Sequence, residues 1–219
     1  MSIAKSIAEI EEKIEGKAKL IAVSKKQPNE KLLEAYKAGF KRLGENYVQE
    51  LCAKQEELPK DIEWHMIGHL QSNKVKYIAP FVHMIHSVDS FKLLKEINKQ
   101  ARKNERTIDC LLQIFIAEED SKTGMEEQEL WDLLANPALR DLENVRICGL
   151  MGMSTFTENT AQVEKEFRNL KRIFDKLNEK HPELPATEIS MGMSGDWPLA
   201  INCGSTMIRV GSAIFGARQ

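Results

Sequence analysis

Short apolar runs alternate with longer amphipathic segments along the whole chain, and this alternation limits most strongly how the chain can fold. Eight apolar runs predict strands, near residues 20–24, 42–45, 63–67, 84–87, 109–116, 146–151, 187–191 and 207–211. The intervening segments predict helices, at about 29–39, 47–57, 71–78, 90–103, 126–135, 160–180 and 195–202, with a short one after Gly211. This order predicts parallel strands with right-handed crossovers in a closed (β/α)8 TIM barrel. An open, doubly wound sheet is the alternative.

Residues 1–16 precede the first strand and predict an additional helix at the N-terminus. Four isoleucines recur there at helical spacing: Ile3, Ile7, Ile10 and Ile14. Ser2 can cap the start of this helix and Gly16 can end it. Because no linker or low-complexity segment interrupts the rest of the chain, we expect residues 1–219 to form one domain.

The composition bounds the class of partner and the compartment. The chain has 31 Lys and Arg against 33 Asp and Glu, so no overall field favours nucleic acid or a membrane surface, and a small partner fits better. No apolar run approaches the roughly 18 residues of a membrane span, and the N-terminal segment lacks the features of a signal peptide. We therefore expect a cytoplasmic protein. Because we expect no second domain that could build a large dimer interface, a monomer is the simpler expectation.

The cysteines and histidines lack the spacing of a metal site. The four cysteines form no CxxC pair and are expected to be reduced thiols: Cys52, Cys110, Cys148 and Cys203. His65 and His69 are four residues apart, but the first lies in a predicted strand and no HExxH glutamate accompanies them. We expect no metal. P-loop, GxGxxG and GxSxG motifs are also missing, which disfavours nucleotide hydrolysis, dinucleotide binding and a serine nucleophile elbow.

In a barrel of this type the functional groups gather where the strands end and the βα loops begin. Gly211 and Ser212 follow the eighth strand and offer backbone N–H groups with little steric cover, which suits a phosphate. Ser194 follows the seventh strand, and loops seven and eight recurrently form phosphate sites in these barrels. An ordinary turn and an ordinary helix cap are the alternative interpretation.

Two cationic side chains lie at unusual places in the pattern. Lys25 and Lys26 end the first strand, and Arg209 lies on the last strand, where a lumen normally takes an aliphatic residue. A buried guanidinium needs a partner, which is a salt bridge to a neighbouring strand or a bound ligand. Pyridoxal 5′-phosphate (PLP) would use a lysine, a phosphate cradle and a partner for its ring nitrogen. A solvated lysine beside a site for another sugar or nucleotide phosphate remains open.

The motifs, taken in order, resemble one family closely. They are "AVSK" (Ala22–Lys25), "GENYVQE" (Gly44–Glu50), "WHMIGHLQSNK" (Trp64–Lys74), "HSVD" (His86–Asp89), "SKTG" (Ser121–Gly124), "GLMGM" (Gly149–Met153), "SMGMSGD" (Ser190–Asp196) and "GSTMIRVGSAIFG" (Gly204–Gly216). This set resembles the pyridoxal phosphate homeostasis proteins, the YggS/PROSC family, whose fold is related to the N-terminal barrel of alanine racemase. The likeness spans almost the whole chain.

The resemblance assigns roles to individual residues. It implies a Schiff base between PLP and Lys25, with Arg209 facing the pyridine nitrogen and Asn46 beside the cofactor. It also implies that the phosphate is held by Ser194, Gly211 and Ser212. Strand alternation alone does not choose between Lys25 and Lys26. The "AVSK" motif chooses Lys25 and leaves Lys26 as a loop lysine.

The resemblance also implies a function. The chain would bind PLP for PLP homeostasis, with PLP-dependent apoenzymes as recipients. Because an arginine can only donate to the ring nitrogen, the ring would stay unprotonated and turnover would be small. The alternative is a PLP-dependent racemase of the alanine type, for which Tyr47 is the tyrosine placed to serve as a second base.

Overall fold

The eight predicted strands are present and close into a parallel barrel. The computed structural model describes residues 2–119 and 123–216. The strands are β1 Lys19–Val23, β2 Arg42–Glu45, β3 Glu63–Met66, β4 Met84–Val88, β5 Ile108–Ile114, β6 Val145–Gly152, β7 Glu188–Met193 and β8 Met207–Val210. Each strand pairs in parallel with the next, and β8 pairs with β1. The closed barrel is confirmed and the open sheet is excluded.

A helix follows each strand, as the periodicity predicts. The helices are α1 Ile3–Ile14, α2 Asn29–Lys37, α3 Val48–Glu57, α4 Val75–Ile78, α5 Phe91–Lys103, α6 Glu127–Ala135, α7 Thr160–Lys180, α8 Trp197–Asn202 and α9 Ser212–Phe215. The helix predicted at 71–78 begins instead as a 3-10 turn, Ser72–Lys74, because Ser and Asn side chains compete with helical backbone bonds. Among the described residues, no helix combines the length and the apolar character that crossing a membrane requires.

The additional helix α1 packs beside the first and last helices of the ring. Ser2 caps it by accepting a hydrogen bond from the Lys5 N–H at 3.3 Å. The chain turns at Glu15, which adopts a left-handed conformation just before the predicted stop at Gly16. The four isoleucines of α1 are buried against the neighbouring helices α2 and α9. This helix therefore covers the point at which the barrel closes.

Alternate side chains of each strand point into the barrel lumen. On β1, Lys19 and Ile21 line a cavity at the N-terminal ends of the strands, whereas Val23 lines one at the C-terminal ends. Ile21 is the register partner of Arg209 on β8, so both lie at the same level. The lumen also contains a small cluster rich in methionine: Met84, Leu111, Cys148, Met151 and Met207. The larger apolar core lies between the strands and the helices.

Candidate functional site

The six residues predicted to bind a cofactor line one cavity. This upper cavity has a volume of about 590 Å³ and lies at the C-terminal ends of the strands. Its lining includes the predicted set Lys25, Asn46, Ser194, Arg209, Gly211 and Ser212. The volume is in the range of small-molecule pockets. The structure thus brings together residues that are up to 187 positions apart in the sequence.

Arg209 is buried at the floor of the upper cavity. Its side chain is 4% exposed, and it donates from Nη1 to Ser190 Oγ at 2.5 Å and from Nη2 to the Gly152 carbonyl at 3.0 Å. Burial lowers the pKa of Arg209 to about 10, against an opposing effect of the Asp196 carboxylate, so the group stays cationic at neutral pH. These hydrogen-bond partners are neutral side-chain and backbone groups rather than a salt bridge to a neighbouring strand.

The segments that follow β7 and β8 build the part of the upper cavity that contains Ser194, Gly211 and Ser212. Ser194 Oγ accepts a hydrogen bond from the Gly211 N–H at 3.1 Å, which leaves the serine O–H for another acceptor. Gly192 has φ of +95°, and a Cβ there would meet the Ala200 methyl at 2.6 Å, so this position requires glycine. The close approach of α8 to β7 at this point sets the position of Ser194.

Asp196 is a lining residue that sequence reasoning did not single out. Its Oδ1 accepts from the Met193 N–H at 2.5 Å, and its Oδ2 accepts from the Ser154 hydroxyl at 2.8 Å. The sequence MGMS occurs twice, at residues 151–154 and 191–194, and the Asp196 carboxylate joins the two copies at the rim of the cavity. The repeat is the sequence feature that could have pointed to this part of the site. Each copy lies at the end of a strand, and the serine of each copy lines the upper cavity.

Lys25 lies in the turn that follows β1 and lines the upper cavity, whereas Lys26 is exposed. Lys26 has φ of +58°, a left-handed conformation that is uncommon outside glycine. Its N–H donates to Glu50 Oε1 at 2.5 Å, which holds the turn in this shape. The two lysines therefore have different environments, with Lys25 on the cavity side.

A buried ion pair behind this turn was also missed by sequence reasoning. Lys54 Nζ donates to Glu45 Oε1 at 2.8 Å and to the Ser24 carbonyl at 2.7 Å. The Ser24 hydroxyl donates to the same Glu45 oxygen at 2.6 Å. Burial raises the pKa of Glu45, although Lys54 and Ser24 act in the opposite direction. The sequence feature that could have indicated this network is the pair Glu50 and Lys54. These residues are four apart on α3 and form an ion pair within the network.

Asn46 lines the upper cavity and has an unpaired acceptor atom. Its Oδ1 atom is buried and, among the described residues, has no hydrogen-bond partner. A Cβ at Gly68 would collide with the backbone of Asn46, so the glycine of "WHMIGHLQSNK" permits the close approach of the two loops. A buried acceptor without a donor is costly, by about 1–3 kcal/mol, which favours a ligand that supplies the donor.

A chain of buried polar side chains leads from Arg209 down the lumen. Ser190 Oγ lies 2.9 Å from His86 Nδ1, and His86 Nε2 lies 2.9 Å from His65 Nδ1. Burial is the main cause that lowers the pKa of His65, to about 3, and the pKa of His86, well below its usual value. Both rings are therefore neutral. His69 lies apart from this chain, with its Nδ1 at 3.4 Å from Asp89 Oδ2.

Tyr47 lies outside the upper cavity. Its side chain is 53% exposed, and no tyrosine belongs to the lining formed by the described residues. Tyr36 donates its hydroxyl to Asp61 Oδ1 at 2.8 Å, and Tyr77 is 55% exposed. Ser121 and Lys122 of the "SKTG" motif lie outside the described residues.

Comparison with known proteins places the chain in a family. The family model described as alanine racemase, N-terminal domain, matches residues 1–219. The pyridoxal phosphate homeostasis protein of Pasteurella multocida strain Pm70 is 37% identical over 234 aligned residues, covering 100% of this chain and 99% of that protein. Its namesake from Aquifex aeolicus strain VF5 is 40% identical, covering 92% and 88%. The chain belongs to the pyridoxal phosphate homeostasis protein family.

A solved structure supports the membership in this family. PipY, the COG0325 family member of Synechococcus elongatus PCC7942, is 38% identical, and the match covers 98% of this chain and 100% of PipY. The TM-score is 0.92 to the structure without PLP and 0.89 to the structure with PLP bound. The resemblance drawn from the sequence motifs is therefore confirmed at the level of family and fold.

Proposed function

We propose that this protein binds PLP in the upper cavity as a Schiff base on Lys25 and serves PLP homeostasis with little or no turnover. The observation that carries the proposal is the convergence of Lys25 and the buried Arg209 cation on one cavity. PipY, a relative of the same fold, has been solved with PLP bound. The family name given to the curated relatives points to the same cofactor.

The residues of the cavity fit the groups of PLP. When bound, PLP supplies an aldehyde, a phosphate and an electron-withdrawing pyridine ring. The Lys25 amine would add to the aldehyde carbon with loss of one water. Ser194 would donate its hydroxyl hydrogen to the phosphate. The ring hydroxyl of PLP is the group that could donate to Asn46 Oδ1, which lacks a donor among the described residues.

Arg209 explains why turnover would be small. A guanidinium donates and does not accept, so it would hold the ring nitrogen in its unprotonated form. An unprotonated ring is a weaker electron sink than a pyridinium, which disfavours carbanion chemistry on bound amino acids. The racemase alternative needs a second base, and no tyrosine belongs to the described lining of the upper cavity.

The test is a titration of the whole protein with PLP, followed by visible absorption. We expect wild type and Lys26→Ala to gain the yellow Schiff-base band and Lys25→Ala to lack it. The same preparations are incubated with L-alanine, and we expect no D-alanine above the background of free PLP. A band that survives in Lys25→Ala would contradict the binding mode, and robust racemisation would favour the alternative.

A further inference from the structure

A second cavity opens at the opposite end of the barrel. This lower cavity has a volume of about 420 Å³ and lies at the N-terminal ends of the strands. Most of its lining comes from the first inward side chains of the strands, such as Lys19, Arg42 and Glu63. The lining shares no residue with the upper cavity. The sequence pattern predicts no metal, because the histidines lack the usual ligand spacing, and it gives this end of the barrel no role.

Three side chains with metal-ligand atoms meet in the lower cavity. Glu63 and His65 are two residues apart on β3 and therefore point to the same side of the strand. His83 directly precedes β4, and its N–H donates to the Trp64 carbonyl at 2.8 Å, which keeps it beside β3. The ligand atoms of Glu63, His65 and His83 all lie within 4.8 Å of one another.

His65 has a ring nitrogen that the described part of the chain leaves unused. The side chain is 2% exposed, its Nδ1 bonds His86, and its Nε2 is buried without a hydrogen-bond partner among the described residues. Buried polar atoms are almost always paired, so this nitrogen calls for a ligand in the cavity that it lines.

Among the described residues, one carboxylate that lines the lower cavity is not bonded to a cation. Three lining cations each bond a carboxylate, at 2.5 Å in Lys19–Glu188, 2.7 Å in Arg146–Asp109 and 3.0 Å in Arg42–Glu11. Among the described residues, Glu63 has no such bonded cation. Because carboxylates already balance these three cations, their repulsion of a bound metal ion is weaker than that of three unpaired cations. Glu63 is available to neutralise part of the charge of the ion.

We propose that the lower cavity is a site for a divalent transition-metal ion of the Zn²⁺ class, with Glu63, His65 Nε2 and His83 as ligands. Two imidazole nitrogens and one carboxylate oxygen are a donor set that Zn²⁺ takes, with a fourth position open to water. Tetrahedral bonds of about 2.1 Å hold ligand atoms about 3.4 Å apart. Glu63 and His83 are half-buried and exposed, so small side-chain rotations reach that spacing.

The bound ion would fix the tautomers of the lumen chain. With the metal on Nε2, His65 must carry its hydrogen on Nδ1 and donate it to His86 Nε2. His86 then donates from Nδ1 to Ser190 Oγ, which also accepts from Arg209. A metal-bound histidine that donates its other N–H to a fixed partner is the arrangement usually found at metal sites. The lower cavity thus connects through three hydrogen bonds to the floor of the upper one.

The test is calorimetric titration of chelator-treated, whole protein with Zn²⁺. We expect one ion per chain, and we expect His83→Asn and Glu63→Gln each to weaken binding about tenfold or more. Both side chains reach solvent, so these variants should keep the wild-type circular dichroism spectrum. The matched control is His181→Asn, which removes a histidine that also lies beside a carboxylate, Glu183. We expect wild-type affinity for that variant.

Co²⁺ spectroscopy and a phosphate titration complete the test. We expect cobalt d–d bands of nitrogen and oxygen ligation, without a thiolate charge-transfer band. A thiolate band would show that a cysteine binds the ion and would overturn the proposal. Zn²⁺ affinity that is unchanged in His83→Asn would also overturn it. Binding of inorganic phosphate in place of Zn²⁺ would show that the paired cations, rather than Glu63, set the preference of this cavity, and would also overturn it.

Discussion

The turn that carries Lys25 is held by side chains from a neighbouring segment of the barrel. Glu50 fixes the backbone of Lys26, while Glu45 and Lys54 fix the hydroxyl and carbonyl of Ser24. Glu45 is fully buried and Lys54 nearly so. A buried ion pair contributes little net stability, but removing one partner leaves a buried charge without compensation. The ion pair therefore acts mainly to define the position of Lys25, which lies between the anchored residues Ser24 and Lys26.

We predict that Lys54→Met lowers the free energy of unfolding by about 3–5 kcal/mol, because the Glu45 carboxylate loses its cation in a buried place. Urea unfolding at neutral pH measures the loss, and the exposed Lys37→Met is the control, with an expected change within about 0.5 kcal/mol. The double variant Glu45→Gln, Lys54→Met should recover part of the loss. An effect of Lys54→Met as small as that of the control would show that the pair does not support the turn.

At the scale of elements, Glu127 joins α6 to α7. Its Oε1 accepts from Lys176 Nζ at 2.9 Å and from Trp131 Nε1 at 3.1 Å, and Arg172 donates to both oxygens. The hydrogen bond from Arg172 is the largest cause that lowers the pKa of Glu127 to about 2, and Lys176 and Trp131 add to it. This carboxylate of α6 is therefore bonded to two cationic side chains of α7.

We predict that Glu127→Gln lowers the free energy of unfolding at pH 7 by on the order of 1 kcal/mol, since solvent screens this partly exposed site. An unfolded glutamate titrates near pH 4.3, so the stabilisation is complete above about that pH and is lost as the pH falls toward 2. Urea unfolding at pH 7 and pH 3 should show the difference from wild type narrowing at pH 3. The exposed Glu179→Gln is the control, and a difference that does not change with pH would contradict this account.

Element boundaries show why parts of the pattern could not be predicted. The order of strands and helices followed from periodicity, because each strand is a short apolar run bounded by polar residues. The register shifts in β5 with β6 and in β7 with β8 left no such signal. The shift between β7 and β8 falls inside the "SMGMSGD" segment, between Ser190 and Met193. Strand parity counted from the sequence alone fails at such a point.

At the scale of the whole molecule, barrel closure brings distant strands to a common lumen. The upper site was predictable because its residues occur in motifs and, apart from Arg209 on β8, follow strands. The lumen chain of His65, His86, Ser190 and Arg209 was not, because its members come from four strands and meet only across the closed barrel. Likewise, Glu63 and His83 lie at strand starts, where the functional groups of such barrels were not sought.

The proposed binding mode requires that Lys25, and not Lys26, forms the covalent bond to PLP. The most direct measurement is borohydride reduction of the whole protein with less than one equivalent of PLP, followed by mass mapping of the peptides. The account predicts a phosphopyridoxyl group on Lys25, an unmodified Lys26 and no adduct in the turn of Lys25→Ala. A reduced adduct on Lys26 or on another lysine, or no adduct, would contradict it.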